Sequence, residues 1–253
     1  MATSLELTAL PGVPKIVPGD DLVDITLDAL ARAKLTLHSG DVLVYAQKII
    51  SKSENRLVEL AAVTPSQRAI DLAVETEKDP RVVEVVLGES SEVLRHRPGL
   101  IVVVHRLGFV IANAGVDSSN VDAEGDKVLL LPEDPDNSCA VIHERLRIRT
   151  GADVGVMIND SVGRAWRNGT VGIALGLCGI PAIRDLKGKP DMFGRALETT
   201  EVAVADELAA AASLLQGQAA EATPIVHVRG FPSAGAGMTA KALLRPDHLD
   251  LFR

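Results

Sequence analysis

The chain has 253 residues and carries 26 lysines and arginines against 34 aspartates and glutamates, a formal charge of −8. That acidic balance argues against a general nucleic-acid binder, which needs a basic face to displace counterions from phosphates. The 2% aromatic content leaves too few rings for a single-strand stacking platform, and 47% hydrophobic residues place the chain far from disordered compositions.

The length suits one large domain or two small ones, without a metal or disulfide staple for the core. No apolar run approaches the ~18–20 residues that a bilayer span needs. The opening stretch, residues 1–15, has no basic segment followed by an apolar one, so no secretory signal is expected. Cys139 and Cys178 are far apart in apolar settings, which fits small buried hydrophobes better than a disulfide or a metal site. A reducing, cytoplasmic location is expected.

In chain order, Pro11-Gly12-Val13-Pro14 reads as loop, because two prolines fix φ and remove donors. Asp21–Lys34 carries Leu22, Ile25, Leu27, Leu30 and Ala31 at helical spacing, with Asp20 or Asp21 as N-cap. Asp41–Tyr45 reads as a buried strand. Thr64-Pro65-Ser66-Gln67 reads as a helix start with Thr64 as cap and Pro65 in the first turn. Ile101–His105 and Phe109–Ala112 flank a turn at Leu107-Gly108 and read as a hairpin.

Val154–Ile158 is another apolar run, ending at Asn159-Asp160. Glycines alternate with apolar residues over Thr170–Leu177, which predicts close backbone approach. Glu198–Leu215 has the strongest helical pattern, Pro224–Arg229 reads as a strand, and Gly230–Gly237 as a flexible loop. The irregular spacing of strands and helices, with a central hairpin, predicts an α+β protein rather than a doubly wound sheet.

Four segments could carry chemistry. Gln47–Lys52 follows a strand end with two lysines and a serine; it is either a solvated basic turn or a cluster that holds anions. Asn113–Asn120 packs Asp117, two hydroxyls and amides around Gly115. It is either an Asx-type turn or a source of oxygen ligands for a hard cation.

Asn159–Gly169 holds Asp160, Ser161, Arg164, Trp166 and Arg167, the densest polar constellation of the chain. Its oxygens suit a divalent metal and its arginines a phosphate, unless Asp160 merely caps a helix. Leu215–Glu221 is either a helix end capped by Gly217 or part of a site. No phosphate-loop, H-E-x-x-H or G-x-S-x-G signature occurs. Together the segments describe oxygen ligands beside basic residues, a kit for polyphosphate.

The chain resembles the coenzyme F420-0:γ-glutamyl ligase family. The likeness runs through Gly12-Val13-Pro14, Pro18–Leu22, Gly40–Val44, Ile50-Ser51-Lys52 and Asn113–Asn120. It continues through Leu131–Asp136, Asp160–Arg164, Ala205-Asp206-Glu207 and Val228-Arg229-Gly230, nearly the whole chain in order.

The resemblance implies a GTP-dependent amide ligase that adds L-glutamate to the carboxylate of F420-0 through an acyl phosphate, with further γ-linked glutamates open. It implies an intertwined homodimer of two-domain α+β subunits, a pair of Mg²⁺ or Mn²⁺ ions, and potassium in support. Subdomains are expected at about 1–85 with 200–253, the nucleotide side, and about 86–199.

Carried over by residue, nucleotide contacts fall on Val13, Pro14, Lys15, Ile16, Gln47, Lys48, Lys52, Asn120, and on Ser213, Leu214, Leu215, Gln216, Gly217, Gln218, Ala219 and Ala220. Metal ligands fall on Asp117, Asp160, Ser161 and Gln218. Ser161 stands where the family often has Thr, and Gln218 where some relatives carry Glu. Arg164 and Arg167 are the expected charge-stabilising, catalytic pair. An additional C-terminal flavin domain, carried by some relatives, is not expected in this chain. A ligase for another carboxylated cofactor and a non-catalytic nucleotide- and metal-binding module are the alternatives; no nucleic-acid or membrane partner is expected.

Overall fold

The computed structural model describes residues 4–119, 121, 126–232 and 237–251. In chain order the strands are β1 (Glu6–Ala9), β2 (Val42–Ala46), β3 (Leu57–Glu59), β4 (Ser90–Arg97), β5 (Leu100–His105) and β6 (Val110–Ala112). They continue with β7 (Lys127–Leu129), β8 (Gly155–Arg164), β9 (Arg167–Cys178), β10 (Arg184–Asp185), β11 (Glu201–Val202) and β12 (Ile225–Arg229). The helices are α1 (Leu22–Ala33), α2 (Gln47–Ser53), α3 (Gln67–Thr76), α4 (Pro80–Gly88), α5 (Pro135–Thr150) and α6 (Val204–Gln216). The expected mixture of helices and sheets is present.

The central sheet has the order β1-β12-β2-β8-β9. Only β2 and β8 run parallel; the other neighbours are antiparallel. β2 is apolar at every position because helices cover both faces, as a fully buried strand requires. Leu43, Tyr45, Val156 and Ile158 pack with α1 and α5 on one face, while Val44, Met157, Ala174 and Val226 pack with α6 on the other. The glycines of β9 permit this sandwich. A β-carbon on Gly172 would collide with the Ala209 carbonyl of α6, and one on Gly176 with Pro135 of α5, as the alternation over Thr170–Leu177 predicts.

A three-stranded antiparallel sheet, β4-β5-β6, packs α3 and α4 around Ile101, Val103, Ala69, Leu72 and Val83. The two-stranded β3–β7 pair forms a further small sheet. The central sheet draws on both stretches expected as subdomains, since β8 and β9 lie within 86–199 and β2 within 1–85.

Several boundaries differ from the sequence reading, for local reasons. Ser66, not Thr64, caps α3 by accepting the Ala69 N–H. Gln47–Lys52 is helical rather than a turn. β8 runs through Asp160 to Arg164 instead of ending there, because β9 folds back and pairs with it along this length, with register shifts at Ile158/Asn159 and Gly163/Arg164. α6 starts at Val204, as Glu201 and Val202 pair with β10. α5, announced by Asp134 as cap and Pro135 in the first turn, is absent from the sequence reading. Asp21 caps α1, and the expected β5–β6 hairpin is present. Of the loop expected at Gly230–Gly237, residues 233–236 lie outside the described residues. Cys139 and Cys178 are free, the first buried and the second half-buried. Among the described residues, no helix is long and apolar enough to cross a membrane.

A polar clamp closes the end of the sheet where β2 begins. Asp41, 2% exposed, accepts Arg229 Nε at 2.9 Å, Arg229 Nη2 at 2.6 Å, His227 Nε2 at 2.9 Å and the His38 N–H at 2.9 Å. Burial by itself raises a carboxyl, but here the Arg229 and His227 hydrogen bonds outweigh it and hold Asp41 at about 2. A depressed carboxyl contributes stability above its unfolded value and loses it as pH falls toward the folded value, about 2 kcal/mol for this group. Asp41→Asn should therefore lower the melting temperature at neutral pH, with the gap to wild type closing between about pH 4 and pH 2. An unchanged gap across that range, read by thermal denaturation, would contradict the clamp.

Candidate functional site

β2 ends at Ala46, paired with Asn159 of β8, and the parallel pairing of the two strands finishes there. In sheets with parallel strands, ligands gather beyond such carboxyl ends. The chain passes straight from Ala46 into α2, where Lys48 and Lys52 are one helical turn apart and share a face. β8 continues past its partner into Asp160 and Ser161.

Alternation then sorts the side chains. Asn159 Nδ2 reaches Ala209 O at 3.2 Å and Gln216 Oε1 at 2.8 Å, so Asn159 faces α6. Asp160 must face the opposite side, and Ser161 the α6 side again.

Asp117 arrives from a different layer. Its backbone brackets Leu129 of β7 through hydrogen bonds of 3.1 and 2.8 Å, and β7 pairs with β3, which follows α2. Lys48 Nζ meets Asp117 Oδ2 at 2.6 Å and also donates to Ser119 Oγ at 2.7 Å and Ser119 O at 3.2 Å. The Ser119 N–H and hydroxyl donate to the same carboxylate at 2.7 and 3.0 Å. Burial raises the Asp117 carboxyl, yet Lys48 and Ser119 overcome it and leave it below the usual range.

Asp160 is the opposite case. Burial pushes it up to about 7, the Asp117 charge adds to the rise, and the Ser161 N–H and the Lys48 charge counter only part. The two carboxylates and Lys48 thus share one electrostatic neighbourhood. Lys52 is lowered by burial first and then by the charges of Lys48 and Lys15, which places Lys15 in the same basic cluster.

The remaining expected nucleotide residues lie on three segments. Val13 and Ile16 pack on the core and leave Pro14 and Lys15 exposed. Gln47 is buried, with its Oε1 accepting Ser51 Oγ at 2.9 Å. Along α6, Ser213 Oγ donates to Ala210 O, Leu214 is exposed and Leu215 packs on the core. Gly217 ends the helix with φ of 72°, and Gln218–Ala220 are exposed beyond it. Glu221 accepts the Ala219 N–H at 2.8 Å. Asn120 lies outside the described residues. Arg164 and Arg167 are not brought into the cluster; they flank the tip of the β8–β9 hairpin, Arg164 donating to Gly169 O at 3.2 Å. That tip is about 13 Å along the strand from Asp160, at ~3.3 Å per residue.

The donor set fits a hard divalent cation. Asp117 and Asp160 supply carboxylate oxygens, the Ser161 hydroxyl lies on the other face of β8, and the Asp117 carboxylate already accepts the Lys48 ammonium. The buried Asn159 Oδ1 has no hydrogen-bond partner. Among the described residues no three His, Cys, Asp or Glu side chains gather as a metal site. Two carboxylates suit ions that keep waters and bind substrate phosphates, as Mg²⁺ does. Sequence reasoning missed Ser119, which anchors both Lys48 and Asp117; only the fold brings residues 48 and 119 together.

Asp160 is held in surroundings that penalise its charge. Asp160→Asn should therefore raise the melting temperature of the metal-free protein at pH above about 7, where wild type must ionise the group. An equal or lower melting temperature in the variant would contradict the environment described.

The F420-0:gamma-glutamyl ligase family model matches residues 12–230. A coenzyme F420:L-glutamate ligase of Methanothermobacter thermautotrophicus is 46% identical over 253 residues, covering 98% of this chain and 99% of the relative. That of Methanopyrus kandleri is 42% identical over 254 residues, covering 99% and 98%. That of Archaeoglobus fulgidus is 41% identical over 249 residues, covering 98% and 96%. The match spans the Val13–Ile16 loop, both carboxylates, the lysine pair and the end of α6, and the chain belongs to the F420-0:gamma-glutamyl ligase family.

Proposed function

We propose that this enzyme uses GTP to join L-glutamate by an amide bond to the carboxylate of F420-0. The observation that carries the reading is the convergence of Asp117 and Asp160 with Lys48, Lys52 and Lys15 at the ends of β2 and β8. The names of the relatives support the glutamate and the cofactor acceptor.

A carboxylate is a poor acyl donor, so a phosphoryl group activates it. An acceptor carboxylate oxygen bonds the γ-phosphorus as the bond to GDP breaks, giving an acyl phosphate and GDP. The glutamate nitrogen then attacks the acyl carbon, phosphate leaves with the electron pair of the C–O bond, and the amine gives up a proton. Lys48, Lys52 and Lys15 hold the triphosphate, and the charge-stabilising role expected of Arg164 and Arg167 passes to these lysines, which share the cluster. Lys48, which pairs with Asp117 here, would turn to phosphate when a metal is bound. Asp117 and Asp160, with Ser161 and Gln218, would hold the pair of divalent ions. Bound Mg²⁺ or Mn²⁺ would screen the repulsion between an anionic carboxylate and the triphosphate. Potassium, an intertwined homodimer of two-domain subunits and a cytoplasmic location belong to the same reading, on the family resemblance.

The test is an assay of purified protein with GTP, Mg²⁺ or Mn²⁺, L-glutamate and F420-0. The acceptor should gain the mass of one or more glutamyl units, with equal GDP and phosphate released and no GDP when either co-substrate is left out. Asp117→Asn and Asp160→Asn should each lower kcat by roughly a hundredfold or more, as expected for loss of a charge that acts on the transferring group. GTP turnover indifferent to both glutamate and F420-0 would overturn the reading. Binding of GTP without turnover would favour a regulatory module.

A further inference from the structure

A second cleft, of about 410 Å³, opens beside Asp117 on the side of α3 and α4. Its polar lining is Lys78, Asp79, Arg81, Asn113, Asp117 and Ser118, and the rest is aliphatic. None of Lys78, Arg81 or Asn113 serves the polyphosphate cluster.

The charges of this lining are unequally used. Arg81 is held by Asp79, with Nε at 3.1 Å from both carboxylate oxygens and Nη2 at 2.7 Å from one, and its Nη1 is 3.5 Å from Asp126. Lys78, in the short link between α3 and α4, is half-buried; its backbone N–H donates to Ala73 O at 3.1 Å, while its ammonium has no hydrogen-bond or ion-pair partner among the described residues. An ammonium that lines a cleft without a counter-ion of its own is open to an anionic ligand. Asn113 adds neutral donors. Its Oδ1 accepts the Ile101 N–H at 3.1 Å, which turns Nδ2 to other use. Ser118 contributes an exposed hydroxyl.

At its other end the cleft reaches Asp117, which belongs to both the cleft and the phosphate-handling centre. An amino acid held at Lys78 by a carboxylate would place its amino group next to that centre. The volume suits a molecule of amino-acid size with water and lies at the small end of ligand clefts.

We infer that this cleft is the L-glutamate subsite, with Lys78 the counter-ion for a glutamate carboxylate and the amino group lying at the end of the cleft that borders Asp117. Lys78 is then a specificity-determining residue for the amino acid, with no part in handling GTP. The inference rests on the ligase reading given above.

The test is steady-state kinetics and calorimetry on Lys78→Met, Lys78→Gln and Lys78→Arg in the full chain. Lys78→Met and Lys78→Gln should raise KM for L-glutamate by at least about tenfold, the factor for one charge-assisted contact, with kcat and the KM values for GTP and F420-0 little changed. Lys78→Arg should recover most of the affinity. L-Glutamate titrated into wild type with a non-hydrolysable GTP analogue and Mg²⁺ should give heat that Lys78→Met loses. An unchanged KM for glutamate in both neutral variants would overturn the assignment, and so would a rise in KM for F420-0 instead, which gives the cleft to the acceptor. Wild-type protein that makes no glutamyl product would fail the ligase reading and this inference together. Normal ligation with unaltered glutamate dependence in the variants would fail the subsite alone.

Discussion

The parallel pairing of β2 with β8 is the constraint on which the site depends, because it makes two remote segments of the chain end at the same place. Antiparallel neighbours would have put the start of one strand beside the end of the other. Here Val42–Ala46 and Gly155–Asn159 finish together, so that α2 delivers Lys48 and Lys52 where β8 delivers Asp160. The rest of β8 pairs with β9, which keeps Asp160 on a rigid strand after β2 has turned away. Rigid placement matters for the phosphate-handling role proposed for Asp160, since loosely held ligands lose geometry. Asp117 completes the centre from another layer, fixed by its backbone bracket on Leu129.

Two buried or half-buried aspartates show how the protein divides stability from function. Asp41 has a guanidinium, an imidazole and a backbone N–H, and its charge helps hold β2 to β12 and to the Thr36–Asp41 turn. Asp160 has one backbone N–H, a nearby like charge and a lysine that contacts another carboxylate. The first carboxylate is satisfied by the fold; the second is left for something the fold does not contain. Perturbed acids in a cleft are common at functional sites for this reason. Lys78 is the cationic counterpart, a half-buried residue whose ammonium has no partner among the described residues.

What was legible in the sequence follows the range of the forces involved. α1 and its Asp21 cap, β2, the β5–β6 hairpin, and Gly217 at the end of α6 are local patterns of period, cap and turn. The close approach at Gly172 and Gly176 was readable because only glycine tolerates a helix backbone at that distance. α5 escaped because its exposed face mixes Arg145 and Arg149 with apolar Val141 and Ile148, which blurs the helical stripe. The length of β8 depends on pairing with β9, and no pattern within residues 154–164 encodes a partner. The motifs around Asp117 and Asp160 could be recognised one at a time, but their meeting is a property of the sheet. Ser119 and Lys78 had no local signal, because each acquires its neighbours only when distant segments fold together.

The most direct measurement of the central claim is a crystal structure of the protein grown with Mn²⁺ and a non-hydrolysable GTP analogue, with data collected at the manganese edge. The account predicts an anomalous peak within coordination distance of both the Asp117 and Asp160 carboxylates, bridged to the triphosphate, and Lys48 Nζ moved from Asp117 to a phosphate oxygen. Manganese held away from either aspartate, or a nucleotide bound on a face that does not include the ends of β2 and β8, would contradict it.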